Sequence, residues 1–269
     1  MTEAAGAAFP TVMAGAGEPV LFVHGALGDY RKWDGLWQDI AKGHRFIAYT
    51  QRWHGTSAWP ADKPYSRDIQ DDDLVAILHA LGEPMNLVGL SNGGAVALRA
   101  ALRAPELVRS VVLYEANVPE LLIGTAEGRA TIEAFQRGLG ETSDALVSTD
   151  TAQAARSFVE ALYVLPKGGF DTLDPVQKAM VLDNVHTLPM MWNAPDPMPL
   201  TCTALGKITA PVLVVYGSET FPFFKAVAKR IAECVPNARL AALEGVGHIG
   251  PVVAKDAFVA LALGFVDAQ

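Results

Sequence analysis

Within the 269-residue chain, the residues whose types and spacing best suit chemistry are Gly89-Leu90-Ser91-Asn92-Gly93. A serine hydroxyl can form a covalent acyl intermediate, but only if its surroundings activate it. Before Ser91, the apolar Leu87, Val88 and Leu90 read as a short buried strand. After it, Ala95 to Ala101 has helix-forming composition. A very tight strand-to-helix turn strains the backbone at its apex, and side chains two positions away would collide with it. Glycines on both sides remove those collisions. Gly-x-Ser-x-Gly in this setting is the nucleophile-elbow pattern. The helix start adds unpaired N–H groups and a positive dipole end beside the hydroxyl. A Gly/Ser loop that merely caps a helix is the competing reading of the same residues.

No other cluster competes. Asp68, Asp71, Asp72 and Asp73 suit the positive end of a helix. As a metal set they fail, because consecutive acidic residues point around a helix rather than converging. No His/Cys/Asp/Glu spacing resembles a zinc site, and no glycine-rich phosphate loop is present, so neither a metal nor a nucleotide cofactor is expected.

The elements that must position Ser91 follow from the hydrophobic pattern. Strands are expected at Glu18–Gly25, Arg45–Tyr49, up to Leu90, at Ser110–Tyr114, Ala210–Gly217 and Ala238–Leu243. Continuous rather than alternating hydrophobicity marks strands covered on both faces, hence a parallel sheet. Helices are expected at Trp33–Lys42, Ser66–Leu81, Phe223–Val235 and Lys255–Asp267. A short edge strand near Phe9–Met13 is an option for the N-terminal stretch. From Ala116 to about Gly206 the strand–helix rhythm breaks into a helix-rich segment, Pro-rich between Pro189 and Pro197. That is too long for a plain connection and reads as an inserted helical subdomain. The fold class is therefore α/β, a mostly parallel central sheet flanked by helices, with sites at the strands' C-terminal ends.

These pieces together resemble the α/β-hydrolase family over nearly the whole chain. The matching motifs are His24-Gly25 after the early strand, Arg52 to Ser57 after the next, the elbow, and Gly245-Val246-Gly247-His248 near the C-terminus. The resemblance implies a core of residues 1–116 and 207–269 with a helical cap at 117–206. It also implies Ser91 as nucleophile, His248 as base, and the backbone N–H groups of Ala26 and Asn92 as oxyanion hole. The acid departs from the common pattern. The family's usual Asp falls on Thr220, which cannot carry the charge that stabilises an imidazolium. Glu115, at the end of the preceding strand, is the first substitute and Glu219 the second. The loop Thr50 to Ser57 also departs, with Thr50 and Trp53 in place of the family's Asp and first Gly.

Other side chains receive plainer readings. His24 packs beneath the oxyanion loop or, alternatively, touches substrate with Leu27 and Trp192 in the pocket. His44, His54 and His79 are read as surface or helix-end residues, and His186 as an occasional pocket residue. Phe158, Leu162, Tyr163, Phe170, Met190, Met191 and Trp192 could form an apolar roof, although packing within the insertion accounts for any one of them.

The expected activity is hydrolysis of a carboxylic ester, thioester or lactone of a small apolar substrate. The rivals are C–C hydrolysis, perhydrolysis, a cofactor-free lyase or oxygenase step, or a non-catalytic small-molecule sensor. The formal net charge of −8 disfavours nucleic acid and anionic membranes as partners. No apolar run approaches the roughly 18 residues of a membrane span. With no secretion signal evident, a cytoplasmic monomer or homodimer is expected, with Cys202 and Cys234 as buried free thiols.

Overall fold

The computed structural model describes residues 1–60, 64–194 and 199–269. Pro195 to Pro197 of the proline-rich stretch lie outside the described residues. A short hairpin, β1 (Thr2–Ala4) and β2 (Ala7–Phe9), precedes a seven-stranded sheet. Its members are β3 (Thr11–Ala14), β4 (Glu18–Val23), β5 (His44–Tyr49), β6 (Met85–Leu90), β7 (Val108–Tyr114), β8 (Val212–Gly217) and β9 (Ala238–Leu243), in spatial order β3-β5-β4-β6-β7-β8-β9. Only β3 pairs antiparallel, at the edge; every other ladder is parallel.

The continuous apolar strands are explained by burial on both faces. In β4, Leu21 and Val23 join one core layer while Val20 and Phe22 join the other. In β7, Val111 and Leu113 divide from Val112 and Tyr114 in the same way. Burying an aliphatic side chain of this size contributes about 1.5–3 kcal/mol, so strands with every residue buried anchor the fold. The first layer is completed by α2 (Arg67–Leu81), α3 (Asn92–Arg103) and α10 (Pro222–Cys234). The second is completed by Trp33, Leu36, α1 (Trp37–Ile40) and α12 (Lys255–Val266).

Between β7 and β8 the described residues contain helices and no strand: α4 (Ala126–Gly138), α5 (Gly140–Val147), α6 (Thr151–Leu162), α7 (Pro175–Asp183), α8 (Thr187–Asn193) and α9 (Cys202–Leu205). This segment has a small core of its own, in which Ala154, Ala155, Val159 and Phe170 meet Leu27 from the loop after β4. It is tied to that loop and the one after β5. Asn184 Nδ2 donates to Asp29 at 2.9 Å, and the Gly55 N–H donates to Asn184 Oδ1 at 2.6 Å. Arg31 pairs with Asp183 at 2.8 Å, and His186 Nε2 meets the Trp53 carbonyl at 2.8 Å.

Two expectations need correction. The helix expected over Trp33–Lys42 is a 3-10 turn, Tyr30–Trp33, followed by the single turn α1. Gly35 lies between them, and Trp37 is 37% exposed rather than on the buried face. A further single turn, α11 (Gly250–Val253), follows His248. Finally, Cys202 and Cys234 form a disulfide across a sequence separation of 32. α9 lies against the end of α10, a proximity that the distance along the chain conceals.

Candidate active site

Ser91 stands between β6 and α3 with φ +54° and ψ −121°, a conformation that L-residues rarely adopt. The surrounding backbone holds it there. Its N–H donates to the Tyr114 carbonyl at 3.0 Å, and its carbonyl accepts from Gly94 at 2.9 Å and Asn117 at 3.0 Å. The two motif glycines are sterically required. A Cβ on Gly89 would lie 2.6 Å from the Gly94 Cα, and one on Gly93 would strike the Val23 and His24 carbonyls.

Glu115 follows β7, also at positive φ (+47°), and is fully buried. Its Oε2 meets His248 Nδ1 at 2.7 Å and accepts from the Thr220 hydroxyl at 2.8 Å. Its Oε1 accepts from the Gly217 N–H at 2.8 Å. Thr220, where the resemblance puts the family's acid, thus donates its hydroxyl to the Glu115 carboxylate. Glu219 is exposed, with the neighbouring Ser218 hydroxyl 3.3 Å from its Oε1.

The bond at Nδ1 fixes the ring and leaves Nε2 as its other nitrogen. The Phe224 ring stacks on the imidazole with centroids 4.4 Å apart. Tyr114 supports the loop before His248, its hydroxyl donating to the Gly247 carbonyl at 2.6 Å. Burial, reinforced by the Glu115 charge, pushes the Tyr114 phenol above its ordinary range and keeps it a neutral donor.

Ser91 and His248 line the same narrow cavity of about 20 Å³. Ser91 also opens onto a larger one of about 200 Å³, walled by Phe135, Phe158, Met191, Trp192 and Phe223 among others. Ala26 borders both cavities and Asn92 the larger. Neither residue's N–H is engaged in a backbone hydrogen bond among the described residues. A hydroxyl, an imidazole and a buried carboxylate in this order can pass a proton and balance the resulting charge.

The remaining predicted pocket residues divide. Leu27 lines the narrow cavity and Trp192 the larger, whereas His24 lines neither. His24 is fully buried beneath the loop. Its Nε2 accepts from the Gln51 N–H at 3.0 Å, so Nδ1 carries the proton toward the Gly25 carbonyl at 2.9 Å. Burial lowers its pKa to about 4. His54 is likewise buried rather than a surface residue. It contacts His24 edge-on with centroids 4.8 Å apart and meets the Gly28 carbonyl at 3.0 Å. Burial, followed by His24, pushes its pKa well below the ordinary value. His44 is buried too, bound to Asp267 at 2.9 Å, while His79 is exposed. Trp53 packs against Tyr65 with the rings tilted and lines neither cavity. Phe170 is buried inside the helical segment and Met190 is 40% exposed, so neither is part of the roof.

Sequence reasoning missed Phe224 and Phe135. Both belong to an aromatic cluster in which α4 meets α10, with the Phe135 and Phe223 rings stacked 4.4 Å apart. Phe221, Phe223 and Phe224 crowd the start of α10, just after β8, and that crowding was a readable signal.

The comparisons agree with this architecture. The family model for the alpha/beta hydrolase family matches residues 20–261, and the chain belongs to that family. It is accordingly an enzyme of the α/β-hydrolase class. It is 40% identical to a 2-hydroxymuconate semialdehyde hydrolase of Pseudomonas sp. (strain CF600) over 104 residues, covering 37% of each chain. It is 25% identical to the putative carbamate hydrolase RutD of Caulobacter sp. (strain K31) over 262 residues, 94% of this chain and 91% of that one. A crystal structure of a hydrolase from Pseudomonas aeruginosa PA01 superposes with a TM-score of 0.78 at 23% identity, covering 99% of this chain and 97% of that one, and shares the fold.

Proposed function

We propose that the protein is a serine hydrolase that cleaves a small carboxylic ester, thioester or lactone through an acyl-Ser91 intermediate. The observation that carries this reading is the 2.7 Å bond from buried Glu115 to His248 Nδ1, with Ser91 on the same cavity as the imidazole.

Ser91 Oγ attacks the carbonyl carbon while His248 Nε2 takes its proton. The Ala26 and Asn92 N–H groups receive the developing oxyanion; such donors contribute roughly 3 kcal/mol each. His248 then protonates the leaving group, and the C–O or C–S bond breaks. Water, activated by the same nitrogen, attacks the acyl group and releases the acid. Glu115 stays ionised throughout and balances the imidazolium. Residues 117–206 serve as the cap. Their apolar side chains on the larger cavity suit a hydrophobic acyl or ring group.

Hydrolysis of p-nitrophenyl butyrate tests the reading. Ser91→Ala and His248→Ala are each expected to lower kcat by at least about 10³-fold. Wild-type turnover equal to that of Ser91→Ala would overturn it. C–C bond hydrolysis at the same residues is the second reading, favoured by the 40% identity to the semialdehyde hydrolase over 104 residues. It would show as weak ester turnover beside fast cleavage of a ring-fission semialdehyde, with the latter lost in His248→Ala.

A further inference from the structure

The narrow cavity that joins Ser91 to His248 has a cation in its wall. Lys32, on the 3-10 turn after the oxyanion loop, is 6% exposed and lines this cavity. Its Nζ donates to the Tyr163 hydroxyl at 2.8 Å and to Gln177 Oε1 at 3.4 Å, and lies 5.1 Å from the Tyr163 ring centroid. Every one of these partners is neutral. Among the described residues no carboxylate pairs with Lys32, and the nearby Asp29 is already held by Arg31 and Asn184.

Burying an ammonium without a counter-charge is costly, and an anionic ligand beside it would offset that cost. An ammonium has three N–H donors, of which two are used here, and the Tyr163 hydroxyl, accepting from Lys32, retains its own proton to give. Tyr163 lines the cavity as well, so Lys32 and Tyr163 border the same space as Ser91. That space, about 20 Å³, is on the scale of one or two waters. It suits the two oxygens of a planar carboxylate better than a tetrahedral phosphoryl group.

We infer that Lys32 and Tyr163 form an anion subsite, and that the enzyme's substrates carry a free carboxylate beside the scissile carbonyl. The carboxylate occupies the narrow cavity while the apolar remainder fills the larger one beyond Ser91. The assignment rests on the hydrolase reading above and narrows its substrate class to monoanionic esters or lactones. Lys32 thereby acts as a specificity determinant and takes no part in bond breaking.

The test compares monomethyl succinate, glutarate and adipate with methyl butyrate, valerate and hexanoate by pH-stat. The readout is the ratio of kcat/KM between carboxylated and neutral esters at the best chain length. Lys32→Met is expected to lower this ratio at least tenfold and Tyr163→Phe severalfold, with the Lys32→Met loss shrinking as salt is raised. An unchanged ratio in folded Lys32→Met or, if that variant does not fold, in Tyr163→Phe would overturn the subsite. Calorimetric titration with glutarate separates the two readings. If Ser91→Ala equals wild type on every ester yet glutarate binds wild type and not the variants, the hydrolase reading fails and the subsite stands. Equal glutarate binding by wild type and variants would refute the subsite whatever the ester kinetics.

Discussion

At the scale of single residues, the decisive exchange is between positions 115 and 220. Thr220 lacks a charge, and Glu115 supplies one to the same imidazole from the neighbouring strand end. Glu115→Gln keeps the shape of the site but removes the charge that balances the imidazolium. It is expected to lower kcat on an ester substrate by roughly 10²–10⁴-fold. Adding Thr220→Asp to Glu115→Gln should restore a measurable part of that loss, because the Thr220 hydroxyl lies 2.8 Å from the Glu115 oxygen that His248 uses. Failure of the double variant to exceed Glu115→Gln would place the acid's role elsewhere. Ser91 was legible because the glycines on either side of it have a steric cause, and His248 only through the likeness of Gly245-Val246-Gly247-His248 to the family's motif. Glu115 stands as the first of two substitutes in the sequence, since the common acid position holds a residue that cannot ionise usefully, and its carboxylate meets His248. Phe224 was not singled out, because one phenylalanine among three gives no hint of which ring meets the imidazole.

At the scale of elements, the loop after β4 shows what a linear reading underestimates. His24 and His54 come from two different strand ends and meet edge-on under residues 25–28, each reaching one carbonyl of that loop. His24 lies beneath the loop as its sequence reading expects, whereas His54 is buried there rather than at the surface, because a histidine's neighbours across a sheet are not visible from its neighbours along the chain. Their burial as neutral rings ties stability to pH. The pKa of His24 is about 4 in the fold against 6.5 for the unperturbed group. Below pH 6.5 the unfolded chain binds a proton that the folded chain refuses until about pH 4. Stability from this group is therefore complete above pH 6.5 and is lost as pH falls, by roughly 3 kcal/mol at about pH 4. Urea unfolding at pH 7 and pH 5 should show the decline, with a shallower pH dependence in His24→Gln. Identical slopes would argue that His24 is not the group responsible.

At the scale of the whole molecule, the sheet was legible in outline and the insertion only as a helix-rich segment between two strands, without its packing. Strands buried on both faces advertise themselves by unbroken apolar runs, and six of the seven sheet strands were placed within a residue or two; the edge strand β3 was anticipated only as part of a short N-terminal strand. The helical segment instead closes its own core, Val159, Phe170, Val181 and Leu188 with three alanines, around one loop leucine, Leu27, and that contact leaves no periodic trace. The disulfide was equally hidden, since two cysteines 32 residues apart carry no information about which helices will meet. Closing a loop of that length is worth about 3–4 kcal/mol through the entropy of the unfolded chain. Dithiothreitol, or Cys202→Ser with Cys234→Ser, should thus lower the melting temperature by roughly 10 °C. Calorimetry showing no fall would mean that the bond constrains little.

That sulfur bridge also bears on how the enzyme would age. It pins the far end of α10, the helix whose opening turn carries the ring lying on His248. A catalyst stapled there should outlast repeated heating in thiol-free solution and wear out sooner in the glutathione-rich surroundings that hold such bridges open.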